Sequence, residues 1–301
     1  MIKQMSRRRR KDLITGYLFL SPAIITFSLF VLVPAVSVII FSFYKYNIIA
    51  PMQFLGFRNW IRAFTADPRL VRVMKNTGLF VLLLAPMHMF FGLLLAQCAY
   101  RLTNHFRMST YRLILYFPIM VSTASVAVAW TFIFDKDFGM LNYYLGFLGV
   151  EPIYWMNSSF WVYPGTMIFS LWKNIGVSFL YILIALQNVD PVLLEAADID
   201  GATEWQKYFK VTLPMITPTI FFVLTTMLIG QMQIFAEPYL LSAGGPGDAS
   251  RTISLYIYEV AYQMQQYGYA SAIAIMLLFI VLFITFLQFK MQRLWVNYDN
   301  E

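Results

Sequence analysis

An all-α membrane protein crossing the bilayer six times is the fold predicted by three observations: extreme apolarity, six long intervals almost free of charge, and the residues that end each interval. The 301 residues are 59% hydrophobic, 18% aromatic and 12% charged, about half the charged share of an ordinary soluble domain. A mean hydropathy of +0.64 implies more apolar surface than a water-exposed globule can hide. The single cysteine, Cys98, excludes a disulfide framework and any multi-cysteine metal site. Two histidines, His88 and His105, leave little for a metal cage. No metal site is expected.

A bilayer core about 30 Å thick needs roughly 20 helical residues, and a charge inside it is costly. The weakly charged intervals run from Asp12 to Lys45, Lys75 to Arg101, Arg112 to Asp135, Glu151 to Asp190, Lys210 to Glu237 and Glu259 to Lys290, with Lys173 interrupting the fourth. Trimmed by prolines, glycines and interfacial aromatics, they give spans of about 20–42, 77–99, 113–134, 164–186, 215–241 and 271–290. These lie between a basic N-terminus with an interfacial segment (1–19) and a C-terminal tail (291–301). The first interval is too long for one straight span, so Pro22 and Pro34 are expected to break or kink it. Its length and the five spans that follow favour a retained anchor over a signal peptide.

An even number of spans puts both ends on one side. Lys and Arg favour the cytoplasm for that side, by thirteen against eight. The first loop runs against this rule with six basic residues: Lys45, Arg58, Arg62, Arg69, Arg72 and Lys75. The net charge of +7 is read as an orientation signal, with no nucleic-acid partner needed.

Residues 190–214, between the fourth and fifth spans, carry helix punctuation. Asp190 caps a helix begun by Pro191, and Asp200-Gly201 supplies a turn. Thr203 and Gln206 have capping-box spacing, Trp205 and Phe209 share a face, and Pro214 stops or kinks the pattern. Five carboxylates (Asp190, Glu195, Asp198, Asp200, Glu204) against Lys207 and Lys210 leave an acidic segment suited to a basic partner. Glu195 and Asp198 fall on one face, and Ala196 and Ala197 are small enough for close approach in a groove.

Glu195-Ala196-Ala197, Gly201 four positions after Ala197, then nine residues and Val211-Thr212-Leu213-Pro214 resemble the EAA loop. That loop marks permease subunits of binding-protein-dependent ABC importers. Val211 stands where the family pattern has isoleucine. Gly56-Phe57-Arg58-Asn59-Trp60, Asp67-Pro68, Asn76-Thr77, Trp172-Lys173, Asp200-Gly201-Ala202 and Gly244-Gly245-Pro246 extend the resemblance over about residues 13–290. They point to the carbohydrate-uptake branch, similar to maltose-type and glycerol-3-phosphate-type permeases.

The resemblance implies a non-catalytic subunit in a bacterial plasma membrane. Its partners would be a second homologous permease, two ATPase subunits and an extracytoplasmic solute-binding protein. The sequence contains no GxxxxGK[ST] phosphate cradle. This chain is therefore expected to hold no cofactor, with ATP and magnesium on the partner ATPase. Glu195, Ala196, Ala197, Asp198, Asp200, Gly201, Leu213 and Pro214 are the expected ATPase-coupling residues. A short helix gripped by a moving partner acts as a lever on the spans it joins.

Polar groups within spans usually face a bundle interior or cavity. Asn174, Gln231, Gln233 and Glu237, with the aromatics Trp172 and Tyr181, are the substrate-pathway candidates. Amides offer donors and acceptors to sugar hydroxyls, and aromatic faces can stack on sugar rings. Lys173, His88 and Trp130 are further polar or aromatic groups there, with interhelical bonding, or snorkelling for Lys173 and Glu237, as the alternative. The residues around Ser242–Arg251 form a turn-rich segment that the resemblance places near the delivery of cargo. An oligosaccharide is favoured over glycerol-3-phosphate or a polyol. An ion-coupled carrier leaves the acidic helix pair unexplained. An intramembrane hydrolase would have only Ser178 and His88 for nucleophile and base.

Overall fold

The computed structural model describes residues 7–102 and 104–297, with side chains from Leu13 onward. Lys3, the side chains of Arg7 to Lys11 and the last four residues lie outside that description. The fold is almost entirely helical. In chain order the helices are α1 (Arg7–Phe27), α2 (Val33–Phe41), α3 (Arg58–Thr65), α4 (Pro68–Tyr100), α5 (His105–Met120), α6 (Thr123–Ile133), α7 (Met140–Gly146) and α8 (Val162–Gln187). There follow α9 (Pro191–Ile199), α10 (Glu204–Lys207), α11 (Leu213–Met215), α12 (Thr217–Met232), α13 (Ala236–Ser242), α14 (Ile253–Tyr258) and α15 (Tyr267–Met291). The described strands are β1 (Tyr44–Lys45) and β2 (Gln53–Phe54), paired antiparallel with Tyr44 opposite Phe54.

Among the described residues, four helical runs are long and apolar enough to cross a membrane: Leu13–Phe41, Pro68–Tyr100, Val162–Gln187 and Tyr267–Leu294. Two bent pairs, α5 with α6 and Glu204–Met215 with α12, raise the number to six if each pair is one span.

The described chain divides into two compact units, one of the residues up to Asp67 with Ile257–Met276, the other of Pro68–Tyr256 with the residues from Leu277. In the first unit the run from Leu13 to Phe41 is helical without a break, so Pro22 and Pro34, expected to break or kink it, do not break it. Pro22 offers no N–H to the Leu18 carbonyl, which accepts instead from the Ser21 hydroxyl at 2.8 Å. Before Pro34 the helix widens into a π turn, Ser28–Leu32, in which the Val33 N–H donates to the Ser28 carbonyl. Beyond α2, the buried Asn59 amide of α3 donates to the carbonyls of Ser42 (2.9 Å) and Tyr44 (3.0 Å). Those two bonds fix α3 against the end of the span.

The second unit is organised around α4 and α8. Ala96 and Ala99 of α4 sit in one buried cluster with Phe179, Ile182, Leu183 and Leu186 of α8. Small residues allow this approach, because helix association in lipid depends on close packing. A Cβ on Gly92 would lie 2.8 Å from that of Ser178, and one on Gly176 would lie 2.5 Å from the Leu115 carbonyl oxygen of α5.

Residues 113–134, expected as one continuous span, are two helices meeting at 101°. Val121 is extended (φ −84°, ψ 145°), which ends α5 one residue after Met120. The carbonyls freed at this C-terminus have a donor from elsewhere in the chain. Lys173 Nζ of α8, in a residue only 4% exposed, donates to the carbonyls of Pro118 (2.6 Å), Ile119 (3.2 Å) and Val121 (2.5 Å). Lys173 is thus a buried cap for another helix and does not snorkel. Residues 215–241 are also interrupted: α12 ends at Met232, and Glu237 stands on the separate α13.

Candidate functional site

The acidic segment folds by its own local chemistry. Asp190 Oδ1 accepts from the Val192 N–H at 2.9 Å and caps α9, whose first residue is Pro191. At the other end the Gly201 N–H bonds the Asp198 carbonyl (3.0 Å) and the Ala202 N–H bonds that of Ala197 (2.9 Å). This paired closure is a Schellman motif, and Gly201 takes the left-handed conformation it requires, φ +74°. Two residues later Thr203 and Gln206 form a reciprocal capping box at the start of α10. Pro214 is preceded by a π turn, Tyr208–Thr212, as Pro34 is.

Within this elbow Leu194 and Leu213 pack against the buried cluster of α4 and α8, while Glu195, Ala196 and Asp200 face out. Asp198 binds Lys207 Nζ at 2.7 Å and ties α9 to α10. Lys207 also pairs with Glu204. The two carboxylates, Asp198 first, hold the Lys207 ammonium above the usual lysine pKa. Glu195 forms no ion pair with the described residues. Exposed Ile199 (87%) and Trp205 (72%) leave apolar area beside it. Trp205 stacks on Phe209 with ring centroids 5.6 Å apart.

A second feature lies where α8, α12 and α13 approach. A pocket of about 400 Å³ is lined by Asn174, Gln231, Gln233 and Glu237, together with Phe235, Thr226 and Gly230. Asn174 Nδ2 donates to Glu237 Oε1 at 3.3 Å and to the Ser170 carbonyl at 3.0 Å. Gln231 is buried, and its Oε1 has no hydrogen-bond partner among the described residues. Four of the six candidate pathway residues therefore share one cavity. The aromatic pair does not join them: Trp172 packs on Trp130 at 5.4 Å, and Tyr181 meets Phe222 edge-on at 5.2 Å. The aromatic residue that does line the cavity is Phe235, stacked on Tyr239 at 5.3 Å. Its place between Gln233 and Glu237 was the available signal.

Away from this pocket, Arg69 grips Asp248 with two bonds of 2.8 and 2.7 Å, and Asn76 Nδ2 donates to the Asp248 and Arg251 carbonyls at 2.7 and 2.9 Å. These contacts fix the glycine-rich turn after α13. Neither the Ser178 hydroxyl nor either ring nitrogen of the fully buried His88 has a hydrogen-bond partner among the described residues. The two therefore form no nucleophile and base pair.

Several apolar helices long enough to cross a membrane, a polar pocket between α8, α12 and α13, and an exposed, separately capped helical elbow define a multi-pass membrane permease. A model of the family described as "Binding-protein-dependent transport system inner membrane component" matches residues 88–295, and the chain belongs to that family, the membrane component of ABC importers that work with a separate binding protein. It is 35% identical to "Probable ABC transporter permease protein YesP" of Bacillus subtilis (strain 168), over 98% of this chain and 96% of that protein. It is 31% identical to the sulfoquinovosyl glycerol transport system permease protein SmoG of Agrobacterium fabrum, over 94% and 91%. A chain in the crystal structure of a bacterial ABC transporter involved in the import of the acidic polysaccharide alginate superposes with a TM-score of 0.83 at 26% identity, covering 95% of this chain and 99% of that one. A chain in a second crystal structure, of the alginate transporter in complex with an alginate pentasaccharide-bound periplasmic protein, gives 0.80 at 27%, covering 94% and 95%.

Proposed function

We propose that this chain is the carbohydrate-translocating subunit of an ATP-driven importer, taking an oligosaccharide from an extracytoplasmic binding protein. It works as a non-catalytic subunit beside a second homologous permease and two ATPase subunits that hold the ATP and magnesium. Six spans within residues 20–290, with both termini cytoplasmic, put the elbow at 190–214 on the side of the ATPases. The observation that carries this reading is α9: capped at both ends without help from a partner, it presents Glu195 and Ala196 to solvent in the EAA spacing. Such a helix can be gripped and moved as a rigid body, and Asp198–Lys207 makes α10 follow it.

The pocket supports a sugar as cargo. It offers amide donors and acceptors, a carboxylate and the face of Phe235, and the Gln231 oxygen without a partner suits a ligand hydroxyl. The likeness to a sulfoquinovosyl glycerol permease and to an alginate transporter favours a saccharide over a small polyol.

The test is disulfide crosslinking. Cys98 is exposed, so it is first replaced by serine. Ala196→Cys is then paired with cysteines placed in the cleft of the co-expressed ATPase. Efficient crosslinking that changes with nucleotide state is the expected result. ATP-dependent oligosaccharide uptake with residue 196 unreactive toward the ATPase would overturn the reading.

A further inference from the structure

The basic first loop, which runs against the charge rule for an extracytoplasmic segment, has a structural counterpart in the first unit. A pocket of about 450 Å³ opens at the end of the first span. Lys45, Arg58 and Arg62 line it together with Tyr46, Asn59 and Tyr269, and its lining holds no carboxylate. Lys45 and Arg58 are exposed and form no ion pair with the described residues. Arg62 is held in place by a 2.8 Å bond to Gln266 Oε1 and by the Tyr269 ring, 3.9 Å from its guanidinium carbon. These contacts leave other guanidinium N–H groups available.

The surroundings are apolar rather than aqueous. Phe57, the N-cap of α3, and Ile61 and Phe64 within it are 66%, 57% and 71% exposed, and their i, i+4, i+7 spacing aligns them along one side of the helix. Asn59 and Ala63 of the same helix are buried. Arg58 and Arg62 flank the exposed stripe. An apolar stripe beside a basic one is the pattern of a helix lying in the plane of a membrane surface. The adjoining run Leu13–Phe41 has none of its apolar window buried within the described chain. Lys45 therefore follows a lipid-facing span by four residues. Tyr46 and Tyr267, with ring centroids 5.8 Å apart, add the aromatics typical of the headgroup level.

We propose that α3 and this pocket bind the phosphate headgroup of an anionic phospholipid, with Lys45, Arg58 and Arg62 as its cationic contacts and Phe57, Ile61 and Phe64 entering the acyl boundary. The site explains why the loop keeps its positive charge on the side where the charge rule disfavours it. It is independent of the sugar pathway, which lies in the other unit.

The test uses the full-length protein extracted from bicelles of equal phosphatidylglycerol and phosphatidylcholine with matched acyl chains, and native mass spectrometry counts the retained lipid. One basic residue at a membrane surface contributes roughly a fivefold preference. The expected result is at least about a tenfold preference for phosphatidylglycerol, falling to near parity in the triple variant Lys45→Gln, Arg58→Gln, Arg62→Gln. The double variant Arg58→Lys, Arg62→Lys should keep most of it. Arg58→Gln alone removes an exposed group without an ion-pair partner, so a roughly fivefold loss should be readable even if the triple variant folds poorly. A triple or single variant with the wild-type preference would overturn the proposal. So would displacement of the lipid by inorganic phosphate, which would mark a site for a free anion. Retained lipid preference with weakened affinity for the binding protein would assign the basic rim to a protein contact instead.

Discussion

Removing the amine of Lys173 while keeping the length of its side chain should open the sharp turn between α5 and α6. Lys173→Met leaves the carbonyls of Pro118, Ile119 and Val121 without the Nζ donor that now lies 2.5 to 3.2 Å away. A hydrogen bond to a charged group contributes about 1.5–3 kcal/mol, and an orphaned buried acceptor costs about 1–3 kcal/mol. The Pro118 carbonyl keeps a second, longer bond from the Val121 N–H at 3.3 Å. The ammonium also sheds its own burial cost when it is removed. About 3 kcal/mol is therefore the net expectation, which is roughly a 150-fold change in a local opening equilibrium. Hydrogen–deuterium exchange in nanodiscs reads this directly. Amides from Val121 to Val126 should exchange about two orders of magnitude faster in the variant, with α4 unchanged, and Lys173→Arg should restore much of the protection. Wild-type exchange at those amides in Lys173→Met would refute the capping argument.

Three further outcomes follow from the geometry. Gly176→Ala would set a methyl 2.5 Å from the Leu115 carbonyl oxygen and 2.9 Å from the Tyr116 Cα, so a loss of about 1–3 kcal/mol should appear as a lower unfolding midpoint in detergent. Asn142 donates to the carbonyls of Asp135, Lys136 and Ile153 and accepts from Ile153 N–H and Trp155 Nε1; Asn142→Ala should cost about 2–3 kcal/mol and shift Trp155 fluorescence. Glu195→Ala and Gly201→Ala should reduce ATP-dependent uptake while membrane insertion, read by immunoblot of membrane fractions, stays near wild type. For Gly201 the left-handed backbone adds about 1 kcal/mol of strain within the elbow.

Features set by neighbouring residues were legible in the sequence. The Asp190 cap, the Thr203 and Gln206 capping box and the glycine stop at Gly201 each depend on groups within a few positions. What was hidden depends on partners far along the chain. Nothing near Val121 supplies the donor that permits a break there, because it comes from Lys173, 52 residues later. Asp198 reads as a free acid on its own helix, and only the turn at Gly201 brings Lys207 against it. The gathering of Asn174 with Gln231 and Glu237 depends on a bend at Gln233–Phe235, which Gly230 and Pro238 flank but whose angle neither of them sets by itself. Pro22 does not break its helix, since Ser21 next to it satisfies the carbonyl that the ring leaves bare.

The two widened turns that precede Pro34 and Pro214 alter how the surfaces beyond them should be mapped. Each accommodates one residue more than a regular α-turn, so the following side chains are offset by about 100° from an ideal wheel. A labelling scan that extrapolates from Trp205 and Phe209 in regular steps will therefore aim its probes past Leu213 into the wrong quadrant. Substitutions chosen to face water there will meet neighbouring helices instead.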